Sequence, residues 1–139
     1  NNYYRTVKLY IFNTTKRGPR TIYLVWIRLM ANIYKNAKLS LTSSVNTALY
    51  TVPSNSRAIV KSILIAEDAN STATAEVTLV DSGATAYMVD KDVSLSAKGK
   101  EQVITEPLVM EESEIIKVDA TSGSVDVIAS ILEINREDR

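Results

Sequence analysis

The run RAIVKSILIA, residues 57–66, is dominated by β-branched and aliphatic side chains. Such residues favour strands, in which successive side chains point to opposite faces. A strict alternation places Ile59, Ile63 and Ile65 on one face and Val60 on the other. Because both faces are apolar, the run predicts a central strand that is covered on two sides.

The flanking sequence reads as more strands separated by short turns. Residues 74–80 and 85–89 surround a turn that contains Gly83, which predicts a hairpin. Residues 101–110 predict a strand that is interrupted at Pro107, since proline cannot donate to a ladder. With residues 125–134 as a last strand, the pattern predicts an all-β fold of about eight strands, an antiparallel β-sandwich or jelly roll.

Charge divides the chain at Met30. The net charge of the whole chain is zero, but residues 1–29 contain six basic and no acidic residues, whereas residues 30–139 contain ten basic and 16 acidic residues. The division predicts an extended N-terminal arm over residues 1–29 and a β-sandwich domain over residues 30–139. The sequence around Met30 also has the form of a natural start, which leaves open whether residues 1–29 belong to the native gene product.

The arm is rich in the residue types that anchor interfaces, namely tyrosine, tryptophan and arginine. The predicted interface anchors are Tyr3, Tyr4, Tyr10, Arg17, Arg20, Tyr23 and Trp26. Cations beside aromatic rings can also bind nucleic acid, but contact with a neighbouring protein or with the body is the preferred interpretation.

The composition argues against catalysis. The chain has no cysteine and no histidine, which removes thiolate chemistry, the most common general base and the most common metal ligand. Two clusters of acidic residues are candidate sites. Asp81, Asp90 and Asp92 could bind calcium, and Glu111, Glu112 and Glu114 could supply a carboxylate pair for glycoside cleavage. Their spacing fits exposed surface acids better. We therefore expect no catalytic residue, cofactor or metal, and no apolar run is long enough for a membrane helix.

Three segments carry a resemblance to a known group of proteins. They are TALYTVPSNSRAIVKSILI (residues 47–65), PLVMEESEIIKV (107–118) and VDVIASILEI (125–134). Together they resemble small structural proteins of tailed bacteriophages, including phages of cyanobacteria, over about residues 30–138. The resemblance implies a β-sandwich virion component that is present in many copies and has no enzymatic activity.

Within that group, the leading hypothesis is a capsid decoration or cement protein that contacts the major capsid protein and stabilises the shell. A tail, neck or fibre component is the first alternative, with tail or neck proteins as partners. A carbohydrate-binding module on a fibre is the second, and it would need Tyr50 or Tyr87 as an exposed aromatic platform. The first two hypotheses predict a homo-oligomer, for example a trimer, located in the virion.

Overall fold

The computed structural model describes residues 32–42 and 44–135, which form nine strands and no helix. The strands are β1 (Asn32–Leu41), β2 (Thr47–Thr51), β3 (Ser56–Glu67), β4 (Ala73–Val80), β5 (Ala86–Leu95), β6 (Lys100–Ile104), β7 (Leu108–Met110), β8 (Ile115–Ser122) and β9 (Val125–Asn135). The all-β prediction is confirmed. The predicted arm over residues 1–29 lies outside the described residues.

The strands form two antiparallel sheets. Sheet A has the order β1-β9-β3-β6, with β7 also paired to β3, and sheet B has the order β2-β8-β4-β5. Since β9 pairs with one edge of β3, β6 and β7 share the other edge on either side of Pro107. The predicted interrupted strand over residues 101–110 is confirmed.

The strand pairs are nested. β4 pairs with β5, β3 with β6 and β7, β2 with β8, and β1 with β9. If β6 and β7 count as one interrupted strand, this order is that of an eight-stranded antiparallel ribbon rolled into two sheets, which is a jelly roll. The predicted sandwich of about eight strands is therefore confirmed, and its topology is the jelly-roll one.

Strand β3 lies at the centre of sheet A, as predicted, but its alternation is broken. The pairing with β9 shifts between Val60 and Ser62, so that Lys61 is the extra residue of a β-bulge. Val60 and Ile63 therefore both face the core, with exposed fractions of 1% and 0%. The prediction that Ile59 shares a face with Ile63 was wrong, because the bulge moves Ile59 to the opposite face.

The core fills the space between the two sheets. Sheet A contributes Ile63 and Val127, and sheet B contributes Val77 and Val118, all fully buried. Only one face of β3 is buried in this way, since Ile59 on its other face is partly exposed. The prediction of a strand covered on both sides was therefore wrong within the described residues.

Two turns fix the connections of sheet B. In the β4–β5 hairpin the Asp81 carboxylate accepts hydrogen bonds from the backbone N–H groups of Gly83, at 2.9 Å, and Thr85, at 2.8 Å. Between β8 and β9, Gly123 has a φ of 74°, and an added Cβ would lie 2.7 Å from the Ala73 side chain. The predicted hairpin is confirmed, and the passage from sheet B to sheet A requires glycine.

Candidate functional site

The outer surface of sheet A, called the A face below, carries a row of apolar side chains. The ladders place Tyr34, Leu132, Ile59 and Val109 directly opposite one another on β1, β9, β3 and β7. Four strands at about 4.8 Å spacing make this row about 14 Å wide. Tyr34 is 73% exposed and Val109 59%, and Ile128 on the same face is 44% exposed. Contiguous exposed apolar residues of this kind mark an interaction surface, whereas isolated ones do not.

The A face is also basic. Its basic side chains are those of Lys38, Arg57, Lys61 and Lys100. Asp126 is the one carboxylate that the ladders place on this face, and Glu111 reaches Arg57 from a neighbouring turn at 3.4 Å. Both partners of that ion pair are largely exposed, so the pair contributes little to stability. The A face thus combines an apolar row with the charges of Lys38, Lys61 and Lys100, which form no ion pair with another described residue.

The local sequence explains why the apolar row exists. On β9, Ile131 and Glu133 are buried, so the intervening Leu132 must point outward. On β3, the bulge at Lys61 turns Ile59 outward and adds a cation beside it. Strict alternation along β3 does not predict the bulge, so the sequence alone does not predict this surface. The apolar residues on both faces of residues 125–134 were the available signal.

The outer surface of sheet B, called the B face below, carries two carboxylates beside the Lys117 cation of β8. Glu76 on β4 lies directly opposite Asp119 on β8. Their neighbours Val77 and Val118 are fully buried, so both side chains leave the core side of the sheet. The Asp119 carboxylate is partly covered, since its Oδ1 is buried without a partner among the described residues and its Oδ2 accepts a bond from the Ser44 hydroxyl at 3.5 Å. Carboxylates directly opposite each other on adjacent strands repel, and neither forms an ion pair with another described residue. The B face therefore offers negative charge that a cation would neutralise.

A charged cluster ties the two sheets together at one end of the sandwich. The buried Glu133 carboxylate of β9 accepts hydrogen bonds from the Lys35 ammonium of β1, at 2.5 Å, and from the Tyr50 hydroxyl of β2, at 2.7 Å. The Lys35 ammonium also lies 5.7 Å from the centre of the Tyr50 ring. An inward-facing lysine on an edge strand such as β1 also discourages strand pairing with another chain.

The electrostatics of this cluster favour a structural role. Burial opposes ionisation of Glu133, but the bonds from Lys35 and Tyr50 outweigh it and hold the pKa of Glu133 below its ordinary value. Burial, together with the bond to the Glu133 carboxylate and its charge, raises the pKa of Tyr50 above its ordinary value. A general acid or base works best with a pKa near the working pH. Both shifts move away from neutrality, so the cluster is suited to joining the sheets.

A second core-facing carboxylate closes the other end of sheet A. Glu67, at the end of β3, accepts hydrogen bonds from the backbone N–H groups of Ala69 at 2.6 Å, Ser71 at 3.0 Å and Lys98 at 2.8 Å. The bonds from Ser71 and Lys98 contribute most to lowering the pKa of Glu67. One side chain therefore organises both the β3–β4 and the β5–β6 connections.

An open groove lies where β5 meets the β6–β7 connection. It has a volume of about 350 Å³ and is lined mainly by apolar residues, with Glu106 as its one titratable side chain. A single exposed carboxylate does not form the pair that glycoside cleavage uses. The groove therefore does not suggest a reaction.

Several of the side chains that the sequence offers for chemistry are engaged in turns or in the fold. Asp81 is used within its hairpin turn. Glu111 and Glu114 bond within their own turn, where the Glu111 N–H donates to the Glu114 carboxylate at 2.7 Å. Tyr50 and Tyr87 lie on opposite edge strands of sheet B, and Tyr50 is engaged with Glu133. They do not form a common aromatic platform.

The arm anchors Tyr3, Tyr4, Tyr10, Arg17, Arg20, Tyr23 and Trp26 lie outside the described residues. Among residues 32–42 and 44–135, no group of three or more acidic, histidine or cysteine residues is arranged to hold a metal ion. The same part of the chain contains no helix that is long and apolar enough to cross a membrane.

Comparison with known proteins gives matches among solved structures alone. No family model and no curated protein matches the chain. A structure of the infectious bursal disease virus Gx strain aligns with a TM-score of 0.49 and 12% identity, over 92% of this chain and 38% of that chain. A mutant VP2 protein of infectious bursal disease virus, in derived T=1 particles, aligns with a TM-score of 0.43 and 11% identity, over 90% of this chain and 36% of that chain.

The chain thus spans less than half the length of these solved structures. Identities this low, with TM-scores below 0.5, do not assign a function to it. The matches also do not identify the tailed-phage group that residues 47–65 resemble.

The cluster at Glu133 predicts the effect of removing one hydroxyl. We expect Tyr50→Phe to lower the free energy of unfolding by about 1–2 kcal/mol, because a partly buried bond to a charged carboxylate is lost. The pKa of Tyr50 is raised by folding, so its contribution is complete below the ordinary value of 10.0 and is lost as the pH rises above it. Urea unfolding at pH 7 and above pH 10 measures both effects.

Tyr87→Phe is the matched control, since the Tyr87 hydroxyl lies 3.4 Å from Asp81 in an exposed hairpin. We expect a change below about 0.5 kcal/mol. Equal losses in the two variants would contradict a specific role for the bond to Glu133.

The contacts of Glu67 predict a loss of stability in acid. Because folding lowers the pKa of Glu67, its contribution is present above the ordinary value of 4.5 and disappears as the pH falls through the folded-state value. We expect Glu67→Gln to be less stable at pH 7, since an amide N–H₂ would face backbone donors. We also expect its stability to depend less on pH below pH 5 than that of the native chain.

Thermal unfolding between pH 3 and pH 7 tests this expectation. Glu106→Gln, which changes an exposed carboxylate in the groove, should behave like the native chain. An unchanged acid dependence in Glu67→Gln would show that other groups control it.

Proposed function

We propose that this chain is a non-enzymatic structural protein of a bacteriophage virion, specifically a capsid decoration or cement protein. Its function is then to form protein contacts that stabilise a shell. The major capsid protein is its expected partner, and the virion is its location.

The observation that carries the proposal is the A face. A single domain gains nothing by exposing Tyr34, Val109 and Ile128 to water, since burial of such side chains is favourable. Their position on one face of sheet A gives the kind of surface on which another protein packs. A virion protein that is repeated by symmetry gains this contact once in every copy.

Two further observations support the proposal. Residues 47–65, 107–118 and 125–134 resemble small structural proteins of tailed phages, and they supply β2, most of β3, β7, the first half of β8 and most of β9. The jelly roll is an architecture that viral capsid domains use, although lectins and cupins use it as well. The resemblance in sequence favours the viral use over the other two.

The proposal also gives residues 1–29 a role in contacts with neighbouring proteins. Residues 1–29 would act as an arm that inserts Tyr3, Tyr10, Tyr23 and Trp26 into neighbouring proteins. Their six positive charges complement the acidic balance of residues 30–139 and of shell proteins with acidic surfaces.

A tail, neck or fibre role would use the same fold and the same surfaces. Copy number separates it from the shell role, since shells display a contact far more often than tails do. A carbohydrate-binding role has less support, because Tyr50 and Tyr87 lie on opposite edges of sheet B.

Quantitative mass spectrometry of purified particles from the phage that encodes the chain tests the proposal. We expect hundreds of copies per particle, in a fixed ratio to the major capsid protein. A few dozen copies per particle would instead indicate a tail or neck protein. Absence from purified particles would contradict a virion role.

A further inference from the structure

We propose that the A face of one copy binds the B face of a second copy, in a head-to-tail contact. This inference rests on the proposed structural function and names one partner within it. The apolar row of Tyr34, Leu132, Ile59 and Val109 would form the centre of the contact. The basic residues around that row would meet the carboxylates of Glu76 and Asp119.

Charge selects the second copy as the occupant of the A face. The A face has four basic side chains, with Asp126 and Glu111 as its nearby acids. The other described residues contain four basic and twelve acidic residues, and ten of these acids remain after the buried Glu67 and Glu133 are set aside. The body of a second copy is therefore strongly complementary to this face.

The same comparison disfavours the arm as the occupant. Residues 1–29 carry six positive charges and no negative ones, so they would be repelled by Lys38, Arg57, Lys61 and Lys100. The basic residues around the apolar row therefore favour an acidic partner, and residues 1–29 supply no negative charge.

The B face identifies where the second copy would be bound. Glu76 and Asp119 lie opposite each other and form no ion pair with another described residue, although Lys117 lies two positions before Asp119 on the same face. A lysine or arginine from the A face of a neighbour would relieve their repulsion. Two outward sheet faces can stack about 10 Å apart, as the sheets of a sandwich do.

A contact between the A face and the B face limits the kinds of assembly that can form. A contact between two different faces is heterologous, so it leaves one free face at each end of a dimer. Repetition gives either a closed ring, such as a trimer, or an open chain of copies. An A-to-A contact would instead stop at a two-fold dimer.

Two variants of the full-length chain test the contact. Tyr34→Ser/Lys61→Glu removes an anchor and reverses a charge on the A face, and both residues are exposed. Glu76→Lys reverses the charge of the B face, and it should not weaken the fold because it places a cation opposite Asp119. Thermal unfolding confirms that each variant is folded before association is measured.

Sedimentation velocity at low ionic strength gives the readout. We expect the native chain to associate with increasing concentration, and less so at high salt. Each variant alone should associate at least about tenfold more weakly, because an anchor or a charge pair is lost. An equimolar mixture of the two variants should form heterodimers, since each variant keeps the face that the other lacks.

Lys98→Glu is the control for charge reversal, because Lys98 is exposed in the turn between β5 and β6. It should associate like the native chain. The inference is overturned if the native chain stays monomeric, if the mixture stays monomeric, or if Lys98→Glu weakens association as much as Glu76→Lys does.

Binding of single-stranded DNA to a monomeric native chain, lost in Tyr34→Ser/Lys61→Glu, would assign the A face to nucleic acid instead. Hundreds of copies per particle, combined with a monomeric mixture, would overturn the head-to-tail contact and leave the virion role standing.

Discussion

The fold depends on the pairing of β3 with β9 at the centre of sheet A. This ladder runs from Ser56 to Glu67, and its inner face supplies Val60, Ile63 and Ile65 to the core. The bulge at Lys61 keeps both halves of β3 directed at that core despite the broken alternation. The same bulge turns Ile59 outward, into line with Leu132. One irregular residue thereby determines both the interior of the sandwich and the centre of its exposed apolar row.

Two carboxylates secure the ends of this ladder. Glu133 joins β9 to β1 and β2 through Lys35 and Tyr50, and Glu67 gathers the backbone of two connections. A buried carboxylate is costly unless its hydrogen bonds are satisfied. Both are satisfied here, and the shifts in their pKa values point away from catalysis. The ionisable groups inside the sandwich thus stabilise the fold, while the outer faces remain available for binding.

The residue pattern was informative where it was regular. Alternation in residues 74–80, the Asp81 turn and the break at Pro107 led to the hairpin and to the split edge strand. Strict alternation failed at Lys61, because a bulge depends on pairing with a distant strand and leaves no local signal. The A face could not be predicted for a second reason. It requires the register that aligns Tyr34 with Val109 across residues far apart in sequence, whereas most aromatic residues of the chain lie in residues 1–29.

The proposed contact joins the A face of one copy to the B face of another. Zero-length carbodiimide cross-linking joins a lysine amine directly to a carboxylate that it touches. Applied to an equal mixture of isotopically light and heavy full-length chains, it distinguishes contacts between copies from contacts within one copy. We predict mixed-isotope cross-links from Lys61 or Lys38 to Glu76. Cross-links between copies that are confined to residues 1–29, or that leave Glu76 unmodified, would contradict the claim.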